Sequence, residues 1–411
     1  MKEIYDLVII GGGTAGCAAA YIAGKNNLKT IVVEKNQYLG GAITSSLVIP
    51  VMKSSDNQIN TNFYNKLIEE LSKISGQICY LNNPGWFNPE LTKIVLDKLL
   101  QDVNVEVLFN TYPTEITTNN RRIEEITLNN NHKIKTKHLI DSTGNSYACQ
   151  LLNCNFIDDS NKTQPMTLRF IMNGIETKEF GKWLLEIDKD RDVTTVETIN
   201  NETHLSTAYT WDKDKTWALA PYFDDAVNNG ILLDTDRNYF QIFTVAGMKG
   251  AIAFNCPRIL KEQDTSKASQ QARATIYRIS EFCKKYFKGF ENAYISNIAD
   301  SIGVRVSKRI IGKYIYKSQD LRTGKTFENP ALISNYPIDI HGHKKDNSTL
   351  EKVGEYQLPI ESLISNDYEN LFVAGRNLSA DFEAQAALRV QASCFSMGEA
   401  VAKHIAKLLN K

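Results

Sequence analysis

The chain has 411 residues, enough for two structural domains, because single hydrophobic cores stop growing at about 250 to 300 residues. It carries 47 Lys and Arg against 47 Asp and Glu, and this balance excludes a global electrostatic bias towards nucleic acid or anionic membranes. The seven scattered cysteines include no Cys-x-x-Cys pair, which argues against an iron–sulfur cluster, a zinc site or a redox-active dithiol and predicts a reducing, cytoplasmic location.

The first stretch of the chain has the pattern of a dinucleotide-binding unit. Residues 7–10 form a short apolar run, typical of a strand buried on both faces of a parallel sheet. Gly11, Gly13 and Gly16 follow in the Gly-x-Gly-x-x-Gly register, which allows a tight turn, close approach to a pyrophosphate and close helix packing. A helix over about residues 14–25 would direct its free N–H groups at that phosphate. The strand-to-helix switch also argues against a signal peptide or a membrane span here.

An acidic residue follows the second predicted strand, over residues 30–33. Glu34 stands where a carboxylate can accept both hydroxyls of an adenine-linked ribose, and an acid here argues against a 2′-phosphate. A lone glycine motif is weak, because glycine turns are common. The strand, the alanine-rich helix, the second strand and the acid occur together, and this combination favours a bound nucleotide over a plain glycine turn.

The elements after Glu34 predict a site built from two parts. Paired glycines at positions 40 and 41 precede two predicted helices, one over residues 61–74 and one with Asn88 as its N-cap. Three short strands, described here as a β-meander, are then predicted, and a fourth returns to the nucleotide-binding sheet and ends in a small-residue turn. These four strands are predicted over residues 105–109, 122–128, 133–137 and 138–145.

From about residue 151 the chain changes to strand-like runs rich in aromatic and β-branched residues, and a long helix over 266–287 closes this part. The runs cover residues 166–172, 205–210, 231–234 and 239–246. We predict an α/β fold in which residues 1–150 and 298–411 form a Rossmann-like dinucleotide-binding domain with a three-stranded β-meander, and residues 151–297 form an inserted α+β, mainly antiparallel substrate domain.

The final third is expected to return to the first domain. Residues 301–312 form a basic, strand-like segment, and residues 370–377 form a buried strand that ends in a glycine turn. A terminal helix is predicted from about Gln391.

With these residues in place, the chain resembles the FAD-dependent oxidoreductases of the glutathione-reductase-like superfamily, especially a bacterial group known only as FAD-dependent oxidoreductases. The motifs that carry the resemblance cover about half of the chain, and none of them lies in the middle domain, where substrate would bind. They are the opening motif with Glu34, Gly40-Gly41, residues 141–145, residues 303–305 with Arg309, residues 339–341, residues 373–376 and Arg389-Val390.

The resemblance implies non-covalent FAD and a set of residues that hold it. The terminal helix would point its N-terminus at the N1/C2=O edge of the flavin, where its dipole stabilises the reduced anion. Two positions depart from the pattern: Asn145 replaces an expected acid, and Gly375-Arg376 replaces the Gly-Asp of many flavin hydroxylases, which argues against that branch. The implied cofactor residues are Gly11, Gly13, Thr14, Ala15, Gly16, Glu34, Lys35, Gly40, Gly41, Ala42, Thr143, Gly144, Gly375, Arg376, Arg389, Val390 and Gln391.

Two residues are candidates for catalysis. Arg305 could bind a substrate carboxylate or balance the charge of reduced flavin, although Arg305 and Arg309 could equally be surface charges or members of an internal ion pair. His341 could transfer protons beside a flavin, since an unperturbed histidine titrates near neutral pH, but a solvated loop is an equal alternative. Asp339, His341 and His343 would share one face of a strand; metal binding there is less favoured, so no metal site is predicted.

We therefore expect an enzyme that transfers hydride between a small organic substrate and flavin N5. No second Gly-x-Gly-x-x-Gly follows a strand, so electrons would come from the substrate or from a transient donor such as NAD(P)H. One alternative is a flavin-dependent monooxygenase or halogenase, although the motif at Trp217 contains only one of the expected tryptophans. Another is a tRNA-modifying or non-catalytic nucleotide-binding flavoprotein, which the neutral charge does not favour. The sequence predicts no nucleic-acid or membrane partner and leaves the oligomeric state open.

Overall fold

The computed structural model describes residues 4–159, 161–208, 217–259, 264–342 and 349–410. Its helices are α1 (Thr14–Lys25), α2 (Asn62–Lys73), α3 (Pro89–Gln101), α4 (Tyr147–Leu151), α5 (Thr177–Ile187), α6 (Ala220–Asn228), α7 (Thr265–Tyr286), α8 (Ser318–Arg322), α9 (Phe382–Leu388) and α10 (Gln391–Leu408). Its strands are β1 (Ile4–Ile10), β2 (Thr30–Val33), β3 (Gln77–Tyr80), β4 (Asn83–Phe87), β5 (Glu106–Leu108), β6 (Pro113–Asn119), β7 (Arg122–Leu128), β8 (Lys133–Asp141), β9 (Met166–Thr167), β10 (Phe170–Asn173), β11 (Thr194–Ile199), β12 (Glu202–Ala208), β13 (Gln241–Thr244), β14 (Ile252–Phe254), β15 (Arg258–Ile259), β16 (Tyr294–Ile298), β17 (Pro330–Ser334), β18 (Ile338–Ile340), β19 (Thr349–Glu351), β20 (Tyr356–Pro359) and β21 (Leu371–Val373).

A parallel sheet forms the centre of the first layer. Strand β1 pairs with β2 on one side and with β8 on the other, and β5 and β21 extend the sheet outwards. Strands β1, β2 and β21 are almost entirely buried, as expected for apolar strands covered on both faces. The predicted Rossmann-like α/β class is thereby confirmed.

The strand that returns to this sheet is longer than predicted. The sequence indicated two strands, over residues 133–137 and 138–145, but the structure has one nine-residue strand, β8. Its first residues pair antiparallel with β7 and its later residues pair parallel with β1 and β21. Burial alternates in the first half and is continuous in the second, and this change of pattern made one strand look like two.

The membership of the β-meander also differs from the prediction. The run over residues 105–109 contains β5, which lies at the edge of the parallel sheet beside β2. The third strand of the meander is instead β6, which the sequence did not indicate, and the meander runs β6-β7-β8. Strand β6 is rich in threonine and mostly exposed, so it lacks the apolar pattern that marks a half-buried strand.

Helices α1 and α10 pack together over the parallel sheet. Their contact is close because Gly398 of α10 faces the backbone of α1: a Cβ at position 398 would lie 2.0 Å from the carbonyl oxygen of Ala15. Helix α3 begins as predicted, since the Asn88 side chain accepts hydrogen bonds from the backbone N–H groups of Glu90 and Leu91. The first and last helices of the described chain thus meet directly.

The second large sheet is antiparallel, in the order β11-β12-β13-β14-β10-β16. Aromatic side chains fill its core, as in the stacked rings of Phe170 and Phe254, whose centroids lie 4.2 Å apart. Trp217 packs there against Phe223 and Phe240. The strand predicted over residues 205–210 is described as far as residue 208, and positions 209–210 lie outside the described residues. The antiparallel character is confirmed, and the domain limits at 151 and 297 remain a prediction.

Three strand predictions in the second half are wrong. The 3-10 helix Asp234–Arg237 begins where residues 231–234 were expected to be a strand. Residues 166–172 contain two short strands, β9 and β10, instead of one. Residues 301–312 contain no strand, only isolated bridges such as the one between Thr167 and Gly303. Within the described residues, no helix is both long and apolar enough to span a bilayer.

Candidate functional site

The glycine turn after β1 brings three backbone segments into contact. Gly11 has φ = +100°, and a Cβ there would lie 3.0 Å from backbone atoms of Ser142 and Thr143 at the end of β8. A Cβ at Gly16 would lie 1.9 Å from the carbonyl oxygen of Gly11. Side chains at these positions are excluded, so the start of α1 lies against the ends of β1 and β8.

The N-terminus of α1 is free to receive an anion. Its N-cap residue is Gly13, and no side chain caps the first N–H groups. The second glycine turn approaches it closely, because a Cβ at Gly41 would lie 2.8 Å from the Gly13 Cα. Thr14 and Ala15 at the start of α1 are buried. On the facing turn, Gly40 is also buried and Ala42 is partly buried. The structure therefore brings the predicted phosphate-binding residues together.

Glu34 ends β2 beside the same turn. Its carboxylate accepts hydrogen bonds from the backbone N–H groups of Gly12, at 2.6 Å, and Asn36, at 2.8 Å. The side chain is 5% exposed, so the carboxylate is held in one orientation. The neighbouring Lys35 is exposed, apart from this buried carboxylate.

A third glycine turn and the start of α10 complete the arrangement. Gly375 has φ = +104°, and a Cβ there would meet nothing closer than the Ala15 Cβ, at 3.6 Å. Val390 is the N-cap of α10, and no side chain caps that helix. The Thr14 hydroxyl donates to Gln391 Oε1 at 3.3 Å, and Gln391 Nε2 donates to the Val48 carbonyl oxygen at 2.6 Å. Two uncapped helix N-termini consequently stand side by side.

The turn at Thr143 and Gly144 is fixed from both sides. The Thr143 backbone N–H and hydroxyl both donate to Asp141 Oδ1, at 3.0 and 2.6 Å. Arg376 donates through Nε to the Gly144 carbonyl oxygen at 2.9 Å and through Nη1 to the carbonyl oxygen of Val304. Burial lowers the pKa of Arg376 to about 10. Its guanidinium thus joins the Thr-Gly turn to the segment that contains Arg305.

The two predicted catalytic residues lie in one polar cluster with Asp339, two positions before His341, and with two arginines from other segments, Arg258 and Arg389. Arg258 Nη2 lies 2.9 Å from His341 Nδ1, and His341 Nε2 lies 3.2 Å from Asp339 Oδ2. Because a guanidinium only donates, Nδ1 accepts and the Nε2–H donates to Asp339. Arg389 Nη2 donates to the Asp339 carbonyl oxygen at 3.0 Å and lies 3.7 Å from Oδ2. A hydrogen-bonded chain therefore runs from Arg258 through His341 and Asp339 to Arg389.

Electrostatics in this cluster correct the expectation for His341. Burial, with the nearby guanidinium groups of Arg305 and Arg258, lowers the pKa of His341 to about 3. Burial alone would raise the pKa of Asp339, but the hydrogen bond from His341 and the charge of Arg389 lower it to about 2. His341 is a neutral imidazole at pH 7 instead of a group that titrates near neutrality. His343, the third member of the alternating set, lies outside the described residues.

Arg305 and Arg309 have different environments although they are four positions apart. Arg305 Nη1 donates to Thr167 Oγ1 at 3.0 Å and to the Pro165 carbonyl oxygen. Burial and the guanidinium of Arg258 lower its pKa well below the usual arginine value. Arg309 is 1% exposed and forms an internal ion pair with Asp159. Arg305 belongs to the cluster, because its partner Thr167 lies opposite Arg258 across β9 and β15.

Comparison with known proteins identifies the family. The family model described as "FAD dependent oxidoreductase" matches residues 6–410, which is nearly the whole chain. The chain belongs to the FAD-dependent oxidoreductase family. Such a flavoprotein uses FAD as its cofactor, and the predicted cofactor is confirmed.

Individual relatives are similar only in part or only in fold. The chain is 33% identical over 69 residues to a digeranylgeranylglycerophospholipid reductase of Methanococcus vannielii, a match that covers 17% of this flavoprotein and 18% of the reductase. The structure of Aquifex aeolicus GidA has a TM-score of 0.53 at 12% identity, covering 98% of this chain and 63% of that one. A geranylgeranyl bacteriochlorophyll reductase-like protein of Thermoplasma acidophilum has a TM-score of 0.50 at 12% identity, covering 99% and 79%. These structural likenesses show the fold.

The geometry of the three glycine turns fits FAD. The N-terminal turn of α1 would hold the pyrophosphate, Glu34 would accept the ribose hydroxyls, and α10 would direct its first N–H groups at the flavin. Bound FAD supplies the two-electron redox chemistry of the site. Cys394, near the start of α10, is 7% exposed, and burial raises its pKa to about 12, so it is a packed thiol.

The sequence did not indicate Arg258 or Gln164 as site residues. Arg258 pairs with Thr167 across β15 and β9, and its guanidinium lies 3.3 Å from the ring centroid of Tyr239. Gln164 Oε1 accepts from the His341 backbone N–H at 3.1 Å. A local signal existed for Arg258, a charged residue between Pro257 and the apolar Ile259, but its partners come from distant segments.

Proposed function

We propose that this flavoprotein transfers a hydride between a small organic substrate and the flavin N5 atom of non-covalently bound FAD. The supporting observation is that Arg389, a member of the polar cluster, immediately precedes Val390, the N-cap of α10. The polar cluster and the helix end expected to face the flavin are therefore consecutive in the chain. We further propose the glutathione-reductase-like type, on the opening glycine motif with Glu34 and the meander β6-β7-β8.

We assign a separate role to each residue of the site. The uncapped turn of α10 would stabilise negative charge on the reduced cofactor through its N–H groups. Arg305 would orient the substrate, and His341, neutral and hydrogen-bonded at both ring nitrogens, would hold Arg258 and Asp339 in place. Since no second dinucleotide motif follows a strand, electrons would come from the substrate or from a donor such as NAD(P)H that docks transiently.

A visible absorption spectrum of the purified protein tests this proposal. We expect two flavin bands, release of FAD on denaturation, and bleaching by the substrate when candidate compounds are screened without air. Gly13→Asp places a carboxylate at the N-terminus of α1 and should abolish FAD uptake. The matched control is Gly354→Asp, because Gly354 is exposed and a Cβ added there would meet no atom within 4 Å. A protein that remains colourless after incubation with FAD would overturn the proposal.

A further inference from the structure

Within the part of the chain that the structure describes, the polar cluster has more positive than negative groups. Its cations are the guanidinium groups of Arg258, Arg305 and Arg389, which we call the arginine cluster. Among the described residues, Asp339 is the carboxylate in contact with it, and His341 is neutral. Among the described residues Arg305 contacts neutral acceptors, the Pro165 carbonyl and the Thr167 hydroxyl, and a guanidinium removed from water without a carboxylate partner is costly, so this position favours a bound anion.

Buried donors in the same place lack acceptors. Gln164 is 7% exposed, and its Nε2 has no hydrogen-bond partner among the described residues. Its Oε1 accepts from Arg389 Nη2 at 3.5 Å, while Arg389 Nε is also buried without a partner in the described part of the chain. Buried donors in folded proteins are almost always paired. Two such donors, Arg389 Nε within the arginine cluster and Gln164 Nε2 beside it, indicate a ligand that offers oxygen acceptors.

The arginines are held in fixed orientations. The Arg258 guanidinium stacks on the Tyr239 ring, and Arg305 is tied to Thr167, the residue opposite Arg258 in the β9–β15 pair. A planar guanidinium fixed in this way presents parallel N–H donors that match the two oxygens of a carboxylate. Prior ordering also lowers the entropic cost of binding.

We propose that the arginine cluster and Gln164 form the substrate subsite and bind the carboxylate of a small organic acid. This inference rests on the proposed function, because it names the substrate class of the same site. The excess charge suits an acid with one or two carboxylates. Halide and phosphate ions share the negative charge but not the planar pair of oxygens.

The test is calorimetric titration of the FAD-loaded protein with acetate, succinate and benzoate at constant ionic strength, with the flavin spectrum recorded in parallel. We expect at least one acid to bind and to perturb the flavin bands. Its amide analogue, chloride and inorganic phosphate should bind at least tenfold more weakly. Equal binding of the amide, chloride or phosphate would overturn the assignment, as would absence of binding by all three acids.

Variants locate the binding site. Arg305→Met should lower the affinity for the acid by about 10- to 100-fold, the range for loss of a charged hydrogen-bond partner. Arg122 is an exposed arginine paired with Glu369, and Arg122→Met should leave the affinity unchanged. Gln164→Leu keeps every charge and should weaken binding less than Arg305→Met. If Arg305→Met does not fold, Arg305→Lys, which retains the charge without the planar fork, takes its place with the same expected direction. Unchanged affinity in the Arg305 and Gln164 variants would overturn the assignment.

The two proposals fail in distinguishable ways. If the purified protein takes up no FAD, the proposed function fails, and calorimetry with the apoprotein still measures acid binding at the arginine cluster. If the protein binds FAD and is reduced by uncharged compounds only, the hydride-transfer proposal stands and the organic-acid assignment is overturned.

Discussion

The hydroxyl of Thr14 in α1 donates a hydrogen bond to Gln391 Oε1 in α10, 3.3 Å away in space and 377 positions away in the chain. This contact joins the two helix N-termini that are expected to face the cofactor. Further along the same pair of helices, Gly398 allows α10 to approach the backbone of Ala15. The relative position of the two helix ends therefore depends on close packing of small residues.

Gly398→Ala should weaken both the fold and the cofactor site. The added Cβ would lie 2.0 Å from the Ala15 carbonyl oxygen, so the helices must move apart. We expect the free energy of unfolding to fall by about 1 to 3 kcal/mol, the usual cost of overpacking, with weaker FAD binding. Urea unfolding and flavin absorbance titration measure the two effects. Gly354→Ala is the control and should change neither; a Gly398→Ala protein of unaltered stability would contradict the packing argument.

Glu34→Gln should reduce both FAD affinity and stability, because both carboxylate oxygens accept backbone hydrogen bonds and glutamine has only one oxygen to accept them. The substitution keeps the size of the side chain but removes the charge that receives the Gly12 and Asn36 N–H groups and would receive the ribose hydroxyls. Charge-assisted hydrogen bonds are about twice as strong as neutral ones, so we expect FAD to bind about tenfold more weakly. Fluorescence titration of the apoprotein with FAD provides the measurement. The exposed Glu369→Gln is the comparison, and equal affinities of the two variants would argue against a ribose contact.

Stability should fall as the pH decreases below about 6.5. Burial lowers the pKa of His138 to about 4, and burial with the neighbouring arginines lowers that of His341 to about 3. The unfolded chain takes up protons at these sites below about 6.5, while the folded protein does not, so protons favour unfolding. Each histidine should contribute about 2 kcal/mol of lost stability at pH 5.

Urea unfolding at pH 7 and pH 5 measures this loss, and His138→Gln tests its origin. The variant lacks one titrating imidazole, so its stability should fall about 2 kcal/mol less between the two pH values. An identical loss in the variant and the parent protein would show that His138 does not carry this dependence.

Alkylation should distinguish one cysteine from the others. Cys79 is exposed, whereas the other six cysteines are buried, and burial raises the pKa of several of them, including Cys256 to about 12. The thiolate is the reactive form, so we expect iodoacetamide at pH 8 to label the native protein once. Mass spectrometry of the labelled protein should locate the group on Cys79, and Cys79→Ser should remove it. Labelling of Cys394 at a comparable rate would contradict its packed environment.

Local features of the chain were predictable because neighbours in sequence determine them. The first strand, glycine turn and helix depend on consecutive residues, and Asn88 signals the start of α3 by its own hydrogen bonds. Strand β8 was divided because its environment changes along its length, from one exposed face to complete burial. The threonine-rich β6 was missed because it has no alternating apolar pattern, and it is held in the sheet by its pairing with β7.

The polar cluster could be predicted only in part, because its contacts and the pKa values of its groups depend on residues that are distant in the sequence. Asp339 and His341 share a face and contact each other, as their alternation indicated. The low pKa of His341 depends on Arg258 and Arg305, which come from different parts of the chain. Stacking of Arg258 on Tyr239 depends on how the antiparallel sheet meets β15, and no local pattern encodes that arrangement.

The pairing of β21 with β8 has a consequence for synthesis of the protein on the ribosome. Strands β1, β2 and β8 emerge early, but their partner β21 and the helix α10 emerge only after the whole antiparallel sheet. Until then, one face of α1 and part of the edge of β8 have no partner, and such surfaces favour aggregation and chaperone binding. The proposed FAD site, which includes the start of α10, can therefore be completed only after α10 has left the ribosome.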